Sequence, residues 1–343
     1  MSGQERVLLG HSMKCPNCVV RLEETRRFGP DVVFGEPKAV AGLPDGSIAV
    51  SFFQSGPELY RIHADGHTEL LARSGGGPSE VQDVSALVPF DDGSLLIWDS
   101  TRRRAFLRRA DGSVGYAFPI PGAVHDVAYA GVGRYVVNAE VPSVQMAGIP
   151  LHLMGQDGVL EVSFGEIEGG LYRPDMPNLS RRSVASAVDR LWTVLPSVYE
   201  IDEWDRNGNI LRTWVRNVPW FEGYVTRRNI ITSQEYPPWI ADIEILGEGL
   251  LAVVLHVGRD GWRDYLGEPV RTEYGVNYPE INVPAMTESV IEIFDFRDGT
   301  LIAATRMPGY IIKITKRSML IEYTQSPTGF PGLVMYDMKV DGW

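Results

Sequence analysis

The feature that most constrains the fold of this chain is a turn dipeptide that recurs along its length. Asp-Gly or Asn-Gly comes after a short run of aliphatic and aromatic residues at Asp65-Gly66, Asp111-Gly112, Asp157-Gly158, Asn207-Gly208, Asp298-Gly299 and Asp341-Gly342. Both residues of such a pair tolerate positive φ, so the pair is a strong local signal for a β-hairpin. Successive pairs lie 46, 46, 50, 91 and 43 residues apart. The spacing predicts six repeats, of which the fifth carries about 45 additional residues.

Each repeat also contains an earlier hairpin. In the first repeat, Ala39–Leu43 and Ser47–Phe53 flank the turn Asp45-Gly46. The corresponding first strands of the later repeats are expected at Val84–Val88, Val124–Ala128, Ser183–Val188, Ile240–Ile245 and Tyr310–Thr315. Four short strands in each of six repeats predict an all-β fold, a six-bladed β-propeller of four-stranded antiparallel blades.

The ends of the chain bear on how the ring closes. The last repeat has only three strands, so we expect residues 19–28 to supply its fourth strand and close the ring. A helix over Val19–Arg27 is the alternative, because Leu22-Glu23-Glu24 favours helix. The predicted organisation is an N-terminal extension (residues 1–18) followed by one propeller domain (19–343). Two long insertions lie near the fourth and fifth blades (214–238 and 258–287).

The N-terminal extension contains the two cysteines of the chain, in Cys15-Pro16-Asn17-Cys18. A structural zinc site needs four ligands, and His11 could supply only a third. A redox pair would belong at a helix start in a βαβ context, which the pattern lacks. We expect a structural pair, reduced or disulfide-bonded, and no cofactor; a metal site with His11 and redox work remain alternatives.

Charge and hydropathy exclude several classes of protein. Lys and Arg number 32 against 44 Asp and Glu, which gives a net charge of −12. General nucleic-acid binding is therefore disfavoured, because neutralisation of phosphates dominates that affinity. No apolar run approaches the ~20 residues of a membrane helix, and Met1–Lys14 lacks the core of a signal peptide. We expect a cytoplasmic protein or one peripheral on a membrane complex, and a periplasmic one if the start is processed.

One segment resembles a known propeller family. Ser74-Gly75-Gly76-Gly77-Pro78-Ser79-Glu80-Val81 is similar to the Gly-x-Gly-Pro-Gly-x-Phe signature of NHL-type propellers, with Ser79 in place of Gly and Val81 in place of Phe. The strand that follows, Asp91–Ser100, and the CxxC segment Cys15–Phe28 also resemble six-bladed bacterial propellers of this NHL-repeat-like group. The blade pattern covers roughly residues 35–343. The resemblance implies the fold and no particular activity.

Polar residues near the predicted innermost strands are the candidates for a site in the central tunnel. They are Glu36, Asp83, His125, Asp126 and Asp242, with Glu244 beside them. Carboxylate oxygens suit a hard cation such as Ca²⁺, so a calcium-dependent, lactonase-like hydrolase is one alternative function. Other innermost segments, such as Val84–Leu87, are small and apolar, which favours polar side chains that only hydrate the tunnel. The chain contains no HExxH, GxSxG or P-loop pattern.

The two insertions are unusually aromatic. Residues 214–238 link the fourth and fifth repeats, and 258–287 lie inside the fifth. The candidate partner-binding residues there are Trp220, Phe221, Tyr224, Tyr236, Trp239, Trp262, Tyr265, Tyr274 and Tyr278. A second candidate is the run Arg102, Arg103 and Arg104, which could dock an acidic partner or only keep an outer strand soluble. Aromatic residues and Arg dominate interface hot spots. The insertions could equally cap the propeller by packing on each other, or cover a small ligand.

These observations favour a non-catalytic protein–protein interaction or scaffold module. Such a module could serve as an extrinsic subunit of a larger assembly, including a membrane-bound respiratory or photosynthetic complex. The alternatives are the lactonase-like hydrolase with a metal in the tunnel and a propeller that binds a small ligand.

Overall fold

The computed structural model describes residues 5–10, 13–53, 55–146, 148–166, 181–187, 189–223, 236–268, 270–272, 275–277 and 282–343. These residues form almost only β-structure. The helical turns among them are the short 3-10 segments Val144–Met146, Gly247–Gly249 and Trp262–Tyr265 and the four-residue helix α1 (Val283–Met286).

The strands form six sheets of four or more strands, and the predicted six-bladed propeller is confirmed. Two strands, β1 (Glu5–Leu8) and β2 (Val19–Phe28), precede the first blade. Blade I contains β3 (Pro37–Gly42), β4 (Ile48–Phe52), β5 (Leu59–Ile62) and β6 (Thr68–Ala72). Blade II contains β7 (Val84–Pro89), β8 (Leu95–Asp99), β9 (Arg104–Arg108) and β10 (Val114–Pro119). Blade III contains β11 (Ala123–Gly131), β12 (Arg134–Glu140), β13 (Leu151–Gly155) and β14 (Leu160–Phe164).

The second half of the ring follows the same order. Blade IV contains β15 (Ser183–Ser186), β16 (Leu191–Val194), β17 (Glu200–Trp204) and β18 (Ile210–Val215), with β1 added outside β18. Blade V contains β19 (Trp239–Leu246), β20 (Leu250–Gly258), β23 (Thr287–Asp295) and β24 (Thr300–Pro308). A separate hairpin, β21 (Val270–Thr272) and β22 (Gly275–Asn277), lies between β20 and β23. Blade VI contains β25 (Tyr310–Ile314), β26 (Met319–Gln325) and β27 (Pro331–Asp341), with β2 outermost.

The ring closes through β2. This strand pairs antiparallel with β27 from Val19↔Asp341 to Phe28↔Leu333, so the N-terminal segment completes the last blade as expected. The helical alternative for Val19–Arg27 is wrong, because the whole segment is a β-strand whose backbone pairs with β27. Such a joint ties the N-terminal part of the chain to its last three strands and makes β2 the outer edge of the last blade.

The core lies between the blades. Each pair of neighbouring blades encloses one apolar cluster, which gives six clusters around the ring within the described residues. Strand side chains alternate between the two faces of a blade, so each blade contributes to two clusters. The largest fully buried side chains include Trp98, Trp192, Trp214 and Tyr135.

The burial of Trp214 corrects one predicted boundary. Trp214 belongs to β18, where it pairs with Ile201, and its side chain packs between blades IV and V. The first insertion therefore begins after Val215 and not at residue 214. The second insertion lies between Gly258 at the end of β20 and Thr287 at the start of β23, as the sequence predicted.

Candidate functional site

The two faces of the propeller differ in their connections. The innermost strands begin at one face, and the links between blades and between second and third strands lie there too; we call it the loop face. The opposite face carries the tight hairpins and is called the hairpin face. Both long insertions belong to the loop face, because one joins β18 to β19 and the other joins β20 to β23.

Exposed aromatic side chains are concentrated on the loop face. Among the described residues the exposed aromatic side chains are Phe34, Phe53, Trp220, Tyr265, Phe330 and Trp343. The first five lie on connections of the loop face, and only Trp343, at the end of β27, lies on the hairpin face. They come from links before blades I and V and from loops within blades I, V and VI. The aromatic surface therefore extends over much of the ring.

The flanks of the two insertions pack on each other. The Tyr236 ring stacks on Trp239 with 5.5 Å between centroids and meets the edge of Trp262 at 5.4 Å. Tyr236 also donates a hydrogen bond of 2.6 Å to Thr287 Oγ1, which itself donates to the Val283 carbonyl. The described parts of the insertions thus form a cap over the loop-face ends of β19, β20 and β23 in blade V.

The cap continues towards the tunnel through His256. Its ring lies 5.1 Å from Trp239 and stacks at 4.3 Å on Tyr310, the first residue of β25. The His256 Nε2 must donate to the Ile311 carbonyl, 2.8 Å away, since a carbonyl oxygen only accepts. Burial lowers the pKa of His256 to about 4, so this histidine is neutral and structural at physiological pH.

The structure separates the predicted aromatic residues into three groups. Trp220 and Tyr265 are exposed on the loop face. Phe221 and Tyr236 are instead buried: Phe221 packs against Tyr199 at 5.3 Å in the cluster between blades IV and V, and Tyr236 forms the buried part of the cap. Trp239 and Trp262 are half-buried in the cap. The predictions for Tyr224, Tyr274 and Tyr278 lie outside the described residues.

Three exposed aromatic residues of the loop face were missed by the sequence reasoning. Phe34, Phe53 and Phe330 lie in short links and not in the long insertions. Phe34 contacts the ring of Tyr60 at 5.1 Å, and Lys38 Nζ lies 5.9 Å from the centroid of Phe53. Each of these residues lies at or beside the loop-face end of a predicted strand. That position was the signal available in the sequence.

The arginine run does not form a free basic patch. Arg102 Nη1 donates to the Gly77 carbonyl at 3.0 Å, and Arg104 Nη2 donates to the carbonyls of Gly77 and Glu80 at 2.9 and 2.5 Å. Two of the three guanidinium groups therefore hold the glycine-rich segment 74–81, which links blades I and II. Arg103 is exposed at a turn with φ 48°.

The innermost strands share a structural feature that the sequence did not reveal. Five of them have a β-bulge near their start, whose extra residue is Lys38, Ser85, His125, Ala241 or Ile312. A bulge redirects the side chains that follow it and increases local twist. In this propeller the bulges lie at the loop-face end of the tunnel, next to most of the predicted tunnel residues.

Two of the predicted tunnel carboxylates fasten one blade to the next. Asp126 Oδ2 accepts from the Val184 amide of blade IV at 2.8 Å. Asp242 accepts from the Ile314 amide of blade VI at 2.8 Å and from Lys313 Nζ at 2.9 Å. Burial opposes the charge of Lys313, but the carboxylates of Asp242, Asp126 and Glu244 outweigh it and raise the pKa of this lysine.

The other tunnel candidates are engaged locally. Asp83 forms an ion pair with Lys38 of the neighbouring blade. His125 Nε2 lies 2.8 Å from Glu140 Oε1, while burial and the charge of Arg181 lower the pKa of the histidine. Burial alone raises the pKa of Glu36. The structure thus brings Asp126, Asp242 and Glu244 together around Lys313. Asp83 and His125 have their partners elsewhere on the ring.

Neither predicted metal site has a ligand set in the part of the chain that the structure describes. No three His, Cys, Asp or Glu side chains lie close enough there to hold an ion. Cys15 and Cys18 are joined in a disulfide beside Gly342, so they offer no thiolate to a metal, and His11 lies outside the described residues. Within the same residues, no helix is long and apolar enough to cross a membrane.

Neither a family model nor a curated protein sequence matches this chain. Solved structures do match it. A member of the DUF4221 family from Bacteroides vulgatus has a TM-score of 0.57 and 11% identity, over 94% of this chain and 99% of that one. A putative exported protein from Bacteroides fragilis has a TM-score of 0.55 and 10% identity, over 97% and 99%. At these identities the likeness shows the architecture alone, so the comparisons show that the chain is similar to solved six-bladed β-propellers.

Proposed function

We propose that this propeller is a protein-interaction module that binds its partner on the loop face. The observation that carries the proposal is the segregation of exposed aromatic residues. Five of the six exposed aromatic side chains among the described residues lie on that face. Large aromatic side chains are enriched at protein interfaces, where they bury much area for little loss of conformational entropy.

The chemistry around these side chains fits a protein surface. Arg263 lies over the ring of Trp262 at 4.7 Å and Arg259 over Tyr265 at 5.8 Å, so guanidinium groups accompany the aromatic residues in the cap. Tyr, Trp and Arg together are the side chains most often found at interface hot spots. The buried rings of Phe221 and Tyr236 contact the more exposed rings of Trp220 and Trp262, at 6.3 and 5.4 Å between centroids.

The proposal includes the role of a subunit of a larger assembly. A propeller is a rigid disc, and a face that carries exposed rings on blades I, IV, V and VI is wide enough for one large partner. The glycine-rich link of residues 74–81, which has Val81 fully buried, supports a relationship to NHL-type propellers. The Cys15–Cys18 disulfide supports an oxidising compartment such as the periplasm, because disulfides rarely persist in the cytosol.

A photo-crosslinking pair tests the proposal. Trp220 and Trp343 are equally exposed, at 39% and 41%, but they lie on opposite faces. We expect a photoreactive phenylalanine at position 220 to capture one discrete partner in the protein's own cells, and the same group at position 343 to capture none. The same species should be lost when Phe53→Ala and Phe330→Ala are added.

The matched positions make the result decisive. Equal capture at 220 and 343 would show a surface without preference and would contradict the proposal. A protein that migrates alone near 38 kDa in native gels, with no crosslink from position 220, would contradict it as well.

A further inference from the structure

The outer edge of blade IV carries a strand that ring closure does not require. β1 runs parallel to β18 in the register Glu5↔Arg212 to Leu8↔Val215, and the Leu9 amide continues the ladder by donating to the Val215 carbonyl at 2.9 Å. In the described residues, the fourth strands of blades I, II, III and V have no strand on their outer edges. The ring is closed separately by β2 and β27. Blade IV therefore offers an edge that accepts an additional strand.

A socket for one leucine lies at the end of this edge. Leu9 is 7% exposed and packs into the cluster between blades IV and V. A Cβ on Gly299 would lie 2.8 Å from Leu9 Cδ2 and 3.2 Å from the ring of Trp214. Gly299 also has φ +75° at its Asp-Gly turn, so its lack of a side chain serves both the turn and the socket.

A buried arginine completes the site. Arg216 Nη1 donates to the Gly10 carbonyl at 2.7 Å, while its Nε and Nη2 form a bidentate pair with Glu292 at 2.7 and 2.8 Å. Tyr199 donates to the same carboxylate. Taking such a pair out of water is costly unless its geometry is well satisfied. Here the pair fixes Nη1, the third guanidinium nitrogen, in place for a backbone carbonyl of the added strand.

The rest of the added strand makes few side-chain contacts. Leu8 is 77% exposed, and Arg6 makes only a surface ion pair of 2.5 Å with Glu200. Val7 is half-buried against the same cluster as Leu9, so the strand is held by backbone hydrogen bonds, two apolar side chains and one carbonyl. That is the recognition mode of β-strand addition, in which the backbone gives affinity and one pocket gives specificity.

We propose that the outer edge of blade IV, with the Leu9 socket and Arg216, is a strand-acceptor site that takes residues 5–10 of a second copy of this chain as it takes its own. A second copy presents the same backbone, the same leucine and the same carbonyl, so it fits the site in the same register. Exchange of an identical element between copies is a low-barrier route to association. The tethered segment competes at a high effective concentration, so the second copy enters only when the chain's own strand is released.

The probe is a peptide of residues 4–12, which offers the acceptor site the same segment that a second copy of the chain would offer. The full chain carrying Leu9→Asp should release its own strand and bind the labelled peptide in fluorescence anisotropy. A peptide that itself carries Leu9→Asp should bind at least about tenfold more weakly, because it cannot fill the socket. The matched control is Leu8→Asp in the full chain, which leaves the socket filled and should bind the peptide as weakly as the unaltered chain does.

Peptide binding at blade IV and crosslinking from the loop face are separate readouts, so this inference does not depend on the proposed function. A folded Leu9→Asp chain that fails to bind the peptide, or that binds both peptides equally, would overturn the acceptor site. If Leu9→Asp does not fold by near-ultraviolet circular dichroism, Leu9→Ala takes its place. Equal binding of the two peptides by the folded Leu9→Ala chain would overturn the proposal too.

Discussion

Glu244 on the innermost strand of blade V couples the stability of the ring to pH. Burial raises its pKa to about 7, against the opposing charges of Lys316 and Lys313, and burial raises the pKa of Asp126 to about 6. A carboxyl group whose pKa is higher in the folded chain stabilises the fold while it is protonated. That stabilisation is complete below the unfolded pKa of about 4.5 and is lost as the pH rises through about 7.

Glu244→Gln should therefore flatten the pH dependence of stability. We expect the variant to be more stable than the unaltered chain at pH 8 by roughly 1–3 kcal/mol, and nearly equal to it at pH 4.5. Urea unfolding at both pH values measures the difference. Glu23→Gln is the control, because that side chain is 73% exposed and should leave the slope unchanged. If stability depends on pH in Glu244→Gln as it does in the unaltered chain, the assignment of this pH dependence to Glu244 is refuted.

At the scale of single elements, the link between blades I and II depends on two arginines from blade II. Arg104→Ala would leave the Glu80 carbonyl without its charged donor and the Gly77 carbonyl with Arg102 alone, and it would remove the contact of the guanidinium with the Phe106 ring. We expect a loss of about 1–2 kcal/mol in the free energy of unfolding, since the arginine is half-buried. Thermal unfolding measures the loss.

Its neighbour provides the control. Arg103 is exposed and has φ 48°, a conformation that asparagine tolerates, so Arg103→Asn should change stability by less than about 0.5 kcal/mol. Equal losses from both substitutions would mean that the turn, and not the hydrogen bonds to the glycine-rich link, determines stability there.

Strands that flank a turn with its own sequence signal could be predicted from the sequence. Features of the site that depend on packing between residues distant in sequence could not. Asp65-Gly66 and Asp111-Gly112 predicted their hairpins because the residues that bend the backbone lie within the turn itself. The bulges at His125 and Ala241 carry no such signature, because the two extra residues share neither a residue type nor a turn dipeptide. Trp214 was misassigned to a loop because aromatic content alone does not distinguish an exposed ring from one buried between two blades.

At the scale of the whole molecule, stability depends on the closing strand. Each blade packs on two neighbours, so opening the ring at the β2–β27 joint exposes the outer side of blade VI and also its contact with blade V. Val20 on β2 is 5% exposed and packs into the cluster between blades V and VI, whereas Val19 is 54% exposed. Substitutions at these two adjacent valines therefore distinguish the contribution of side-chain packing at the joint from that of its backbone hydrogen bonds.

Val20→Asp should destabilise the entire propeller in one transition. Loss of the buried valine, together with burial of a carboxylate, should lower the free energy of unfolding by roughly 3–4 kcal/mol, whereas Val19→Asp should lower it by less than about 0.5 kcal/mol. Calorimetry and tryptophan fluorescence should give coincident transitions for Val20→Asp, because Trp98, Trp192 and Trp214 report on the far side of the ring. An early partial transition with an unchanged main one would mean that β2 only frays, and that the remaining blades hold the ring without it.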